Sequence, residues 1–88
     1  MKLLIIEDEH QLSDGIVSFL NREDYLCEQA FTFEEAKLKV GIYEYDCILL
    51  DLMLPGGNGL DILRTIKQCS PQTSVIIVSA KHSYAGSI

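Results

Sequence analysis

Four positions in this chain carry groups that could do phosphoryl chemistry together: the adjacent acids Glu7 and Asp8, the acid Asp51, and the hydroxyl of Ser79. Three carboxylates brought to one edge repel one another and raise each other's pKa unless a cation compensates them. Magnesium suits such a set, because it takes hard oxygen ligands in an octahedron, usually one or two carboxylates with waters and a phosphate oxygen, and a strand-end carbonyl can supply a further position. A carboxylate can also act as a nucleophile and form an aspartyl-phosphate, and in-line phosphoryl transfer asks a protein mainly for positioning and charge neutralisation. Asp51 is the residue assigned to react. Taken singly, each of these acids reads better as a helix cap or a solvated loop mouth; their joint placement at the ends of alternating strands reverses that preference.

Those elements are βα units. Leu3-Leu4-Ile5-Ile6, Cys47-Ile48-Leu49-Leu50 and Val75-Ile76-Ile77-Val78 are short apolar runs of the kind found in strands buried on both faces. Glu7 and Asp8 follow the first run, Asp51 follows the second, and Ser79 ends the last. In an open parallel sheet, chemistry collects at these carboxyl ends. Leu12, Ile16, Phe19 and Leu20 form one apolar stripe on a helix over roughly 10 to 21, a stripe that must face a sheet. Tyr25 to Phe31 mixes apolar and polar residues as an edge strand does. Thr32 and Glu35 make a capping box that opens a helix to about Val40, ended by Gly41. Pro55-Gly56-Gly57-Asn58-Gly59 is a surface turn, and Asn58 can cap a helix from Gly59 to Cys69 with Leu63 and Ile66 turned inward, stopped by Ser70-Pro71. The order β-α-β-α-β-α-β with right-handed crossovers predicts an α/β fold, a parallel sheet with helices on both faces. After Ala80 only Lys81 to Ile88 remain, too few for another crossover of about 30 residues. The last strand is therefore expected to be an exposed apolar edge.

The chain has 88 residues, enough for a single domain. A formal charge of -6 sets its field against phosphate backbones and anionic lipid, which argues against direct nucleic-acid or membrane contact. The opening apolar run is too short for a signal segment or a span, and a cytoplasmic location is expected. Cys27, Cys47 and Cys69 form no CxxC pair and are read as reduced thiols. His10, at a helix start, reads as solvent-facing. The glycine-rich loop lacks phosphate-cradle spacing, and Tyr25, Phe31, Phe33, Tyr43 and Tyr45 are accounted for by packing.

Together these residues resemble the receiver domain of bacterial two-component response regulators. The likeness rests on the apolar run ending in Glu7-Asp8, on Asp51-Leu52-Met53-Leu54-Pro55 followed by Gly59, and on Val78-Ser79-Ala80, and it covers nearly the whole chain. It implies a flavodoxin-like fold of strand order 2-1-3-4-5, of which 2-1-3-4 is present here. It implies too that Asp51 accepts a phosphoryl group from a phosphohistidine on a sensor histidine kinase. By position in the family pattern, Asp8 and Asp51 would ligate Mg2+, Glu7 would act as a water-mediated partner, Met53 would offer its backbone carbonyl, and the Ser79 hydroxyl would move to bond the acquired phosphate. The Leu-Met-Leu-Pro-Gly-Gly-Asn-Gly stretch is most similar to regulators with a winged-helix DNA-binding output domain, so DNA would be reached only indirectly, through a domain not in this chain. The sequence departs from the family where a fifth strand ending in Lys-Pro and a fifth helix would stand; Lys81, two residues after Ser79, is not equivalent to that lysine.

Three functions follow as expectations. The first is a phosphoacceptor module that switches a downstream, transcriptional output without being a turnover enzyme. The second is a truncated receiver that cannot hold phosphate and associates, as a homodimer or higher oligomer, through its exposed fourth strand. The third, a small magnesium phosphoesterase, is disfavoured because no general acid and no substrate pocket are visible.

Overall fold

The computed structural model of the chain describes residues 1–78. Apolar runs and helix-spaced segments alternate along it, and each becomes the element that its periodicity predicts: β1 (Lys2–Ile6), α1 (His10–Arg22), β2 (Leu26–Ala30), α2 (Phe33–Ile42), β3 (Cys47–Asp51), α3 (Gly59–Cys69) and β4 (Ser74–Val78). The caps read from sequence are made. Thr32 Oγ1 accepts from the Glu35 amide at 3.1 Å, Glu35 Oε1 accepts from the Phe31 amide at 2.9 Å, and Asn58 Oδ1 accepts from the Leu60 amide at 2.9 Å. Each of these bonds satisfies a backbone donor that no turn of helix can reach. Between α1 and β2 the chain reverses at Asp24, whose φ of +67° lies in the left-handed region that aspartate tolerates better than most residues. One boundary moved: α2 runs through Gly41 to Ile42, because a single glycine in a last turn costs the helix too little to end it.

The four strands form one parallel sheet of order β2-β1-β3-β4, as expected. Leu4 and Ile6 of β1, with Ile48 and Leu50 of β3, point to the face covered by α2 and α3, where they meet Ala36, Val40, Ile62 and Ile66 in a closed core. Ile66 was expected inside; Leu63, its partner in the sequence reading, packs only at the margin, and the adjacent Ile62 takes the fully buried position. The opposite face carries α1. There Leu12, Ile16 and Leu20 are half-buried and Phe19 is exposed, so the stripe does face the sheet but leaves an open groove of about 710 Å³ beside Leu3, Leu49 and Ile76.

β4 bears on two expectations. The apolar run reads as a strand buried on both faces, and that is corrected, since Ile76 is 53% and Ile77 48% exposed; the exposed apolar edge expected for the last strand is what the described residues show. β4 pairs with β3 alone, and its contacts with the helices among the described residues are too few to cover either side chain. Apolar composition specifies a strand suited to burial; it does not supply the layer that buries it. Among the described residues, no helix is long and apolar enough to cross a membrane.

Candidate functional site

Parallel pairing brings the acids together. β1 and β3 run in register from Leu3 opposite Cys47 to Ile6 opposite Leu50, and one step further places Glu7 beside Asp51. Side chains alternate along a strand, so Glu7 is in phase with Leu3 and Ile5, and Asp51 with Cys47 and Leu49. The two acids thus continue neighbouring rows at the carboxyl edge. Asp8 follows in the β1–α1 connection. One carboxylate oxygen from each of Glu7, Asp8 and Asp51 lies within 4.8 Å of the other two. Glu7 and Asp51 are almost wholly buried, at 3% and 1% exposure, and Asp8 is half-buried.

Backbone amides aim two of the three. Met53 donates to Asp51 Oδ1 at 2.9 Å, and Glu9 donates to Glu7 Oε2 at 2.9 Å, each a carboxylate accepting from the amide two residues on. The Glu7 amide in turn donates to the Ala30 carbonyl at 3.0 Å, tying the acidic loop to the end of β2. These amides were not anticipated from sequence, although an acid at a strand end before a turn is the pattern that makes such bonds. Burial raises the Glu7 carboxyl from 4.5 to about 7; the Glu9 amide opposes the shift, while hydrogen bonding and charge repulsion from Asp51, and a hydrogen bond with Asp8, reinforce it. Protonation of Glu7 would relieve part of the repulsion within this cluster. A divalent cation would serve the same purpose better, and three hard oxygens at this spacing fit one with magnesium's preferences.

The β3–α3 connection closes over the site's flank. A side chain at Gly59 would strike the Leu52 backbone, with Cβ 2.7 Å from its Cα, so glycine is what lets α3 start this close to the strand end. Gly56 has φ +91°, a conformation that favours glycine. Met53 is partly exposed at this turn, with its amide engaged by Asp51. His10 is exposed, as expected, and it stacks on Phe31 with ring centroids 3.9 Å apart and planes within 4°. Ser79 and Lys81 lie outside the described residues. Cys27, Cys47 and Cys69 are free thiols, in line with the sequence reading.

Comparison with known proteins reaches the same place. Residues 3–86 match the family model of the response regulator receiver domain. The chain is 38% identical over 81 residues to the transcriptional regulatory protein PmrA of Pectobacterium parmentieri, a match that covers 92% of this chain and 36% of that protein. Among solved structures, the CheY-like receiver domain protein of Methanospirillum hungatei superposes with a TM-score of 0.87 at 27% identity, over 98% of this chain and 69% of that one. The response regulator TrrA of Thermotoga maritima, solved with Mg2+–BeF, superposes with a TM-score of 0.81 at 25% identity, over 94% and 74%. The chain spans about a third of the length of the curated relatives it matches, 36% in the first of them. With a parallel sheet in the order 2-1-3-4 and an acidic edge built from the ends of β1 and β3, the chain belongs to the receiver domain family of two-component response regulators.

Proposed function

We propose that the protein is a regulatory phosphoacceptor of the cytoplasm in which Asp51 takes a phosphoryl group from a phosphohistidine of a sensor histidine kinase. The observation that carries this reading is the buried Asp51 carboxylate at the end of β3, grouped with Glu7 and Asp8 within 4.8 Å. In the transfer an oxygen–phosphorus bond forms at Asp51 as the nitrogen–phosphorus bond of the donor breaks, and the imidazole recovers its lone pair. Bound magnesium would supply the positive charge that neutralises the phosphoryl oxygens. Asp8, Asp51 and the Met53 carbonyl would hold it, with Glu7 reaching it through water. The Met53 amide donates to Oδ1 of Asp51 at 2.9 Å and would hold the carboxylate in one orientation during transfer. Ser79 would bond the acquired phosphoryl group and pass the change to a downstream output. In a protein whose longer relatives include transcriptional regulators, that output would be DNA binding by another domain. The Mg2+–BeF bound by the Thermotoga regulator supports magnesium as the cofactor. Intact-mass spectrometry after incubation with magnesium and a small-molecule phosphodonor tests this: one phosphoryl increment is expected, absent with a chelator and absent in Asp51→Asn. Equal labelling of that variant would overturn the assignment.

The exposed β4 favours a second reading, self-association through its outer edge, because Ile76 and Ile77 stand half out of the sheet. Two copies related by a two-fold axis would pair these strands antiparallel. Sedimentation should then show a dimer that Ile77→Lys dissociates; a parent that stays monomeric at high concentration would refute it.

A further inference from the structure

The segments that follow the acids are both contacted from one short stretch. Phe31 and Thr32 of the β2–α2 connection and Phe33, which opens α2, are fixed by capping bonds in which Thr32 Oγ1 accepts from the Glu35 amide and Glu35 Oε1 accepts from the Phe31 amide. Phe31 stacks flat on His10, two residues beyond Asp8. Phe33 lies so close to the β3–α3 loop that any side chain at Gly57 would fall inside its ring, and Gly56 approaches it as well. Phe33 also packs on the main core beside Leu54, and Lys37 Nζ lies 5.6 Å from its ring centroid. Neither ring takes part in the two capping bonds.

We propose that Phe31 and Phe33 form an aromatic clamp that holds the β1–α1 and β3–α3 loops in the spacing at which Glu7, Asp8 and Asp51 share a cation. This rests on the metal-binding reading above and deepens it: the clamp positions the ligands and is not among them. Each ring serves a different loop, so the two can be told apart. Without Phe31 the first turn of α1 loses its stacked partner while the Glu7–Ala30 backbone bond remains, so the loosening is confined to Asp8–His10. Without Phe33 the Gly56-Gly57 segment loses the surface against which it lies, and Met53, next to it, is freed with it. Supporting groups around a metal site commonly change affinity by about 10-fold or more when removed, because they orient the ligands.

The test uses amide hydrogen exchange and magnesium titration on the protein and on Phe31→Ala, Phe33→Ala, Phe31→Tyr and His10→Tyr, with Val40→Ala as a core control of reduced global stability. Phe31→Ala should speed exchange at the Glu9 amide and leave the Met53 amide protected, Phe33→Ala should do the reverse, and each should weaken magnesium binding by about 10-fold. Phe31→Tyr and His10→Tyr, which keep a stacked pair, should bind as the parent does. Val40→Ala should lower global stability without selective loosening of either loop. Unchanged local exchange in both alanine variants, or equal loosening of both loops in every destabilised variant, would overturn the clamp. A parent that is folded yet binds no magnesium would overturn the metal reading, and the exchange pattern would still decide the clamp.

Discussion

The two faces of the sheet are built from the same two strands and end in different states. On the α2–α3 face, Leu4, Ile6, Ile48 and Leu50 are fully buried against Ile62 and Ile66. On the α1 face, Leu3 and Ile5 are buried, while Leu49 is half-buried and Ile76 stands half out beside an open groove. The acids belong to the row on this second face, since Glu7 and Asp51 continue the phase of Ile5 and Leu49. The difference teaches where the site's rigidity comes from. Its carboxylates are placed by backbones whose other side is locked into a core, and of the three only Asp8 is more than slightly exposed.

The largest change is expected on the closed face: Ile62→Ala removes a fully buried side chain and should cost about 3 kcal/mol in denaturant unfolding. A loss no larger than that of an exposed residue would erase the distinction between the faces. Next comes the acidic edge. Glu7 is raised from 4.5 to about 7 in the folded chain, so the protonated form is favoured on folding. Its contribution is complete below about pH 4.5 and is lost as pH rises through about 7. Without magnesium, Glu7→Gln should flatten the stability–pH profile over that window and be the more stable protein at pH 8, by on the order of 2 kcal/mol. A parallel pair of profiles would show that Glu7 ionises freely.

Thr32→Ala removes one half of the capping arrangement beside the site and should cost about 1 kcal/mol, read as a lower melting temperature. The smallest effect belongs to the open face. Phe19, 58% exposed on α1, should tolerate Phe19→Ser within about 0.5 kcal/mol; a loss comparable with Ile62→Ala would mean that the groove is covered in solution.

Much of this was legible in the residues. Glu7, Asp8 and Asp51 could be placed at one edge because the apolar runs before them end abruptly and right-handed parallel crossovers bring like ends together. Thr32 and Asn58 announced their helices because a side-chain acceptor at a helix start has a local purpose. Ile62 was missed because it neighbours Leu63, and a short apolar pair does not say which member turns inward. β4 was half legible: its composition reports the burial a strand can bear, which is not met, whereas the exposed edge followed from counting the elements available to lie against it. His10 was read correctly as exposed, yet its stack on Phe31 joins residues far apart in sequence, and periodicity carries no signal for that. The amide bonds to Asp51 and Glu7 depend on the turn each acid enters, which only the folded backbone defines.

The buried Asp51 carboxylate is proposed as the group that accepts phosphate. Borohydride reduction followed by peptide mapping addresses it most directly, since the acyl-phosphate of an aspartate is reduced to homoserine while an unmodified carboxylate is not. After treatment with magnesium and a small-molecule phosphodonor, conversion is predicted at position 51 alone, and none is predicted when a chelator replaces the metal. Conversion at another acid, or a phosphorylated protein in which Asp51 survives reduction, would contradict the account.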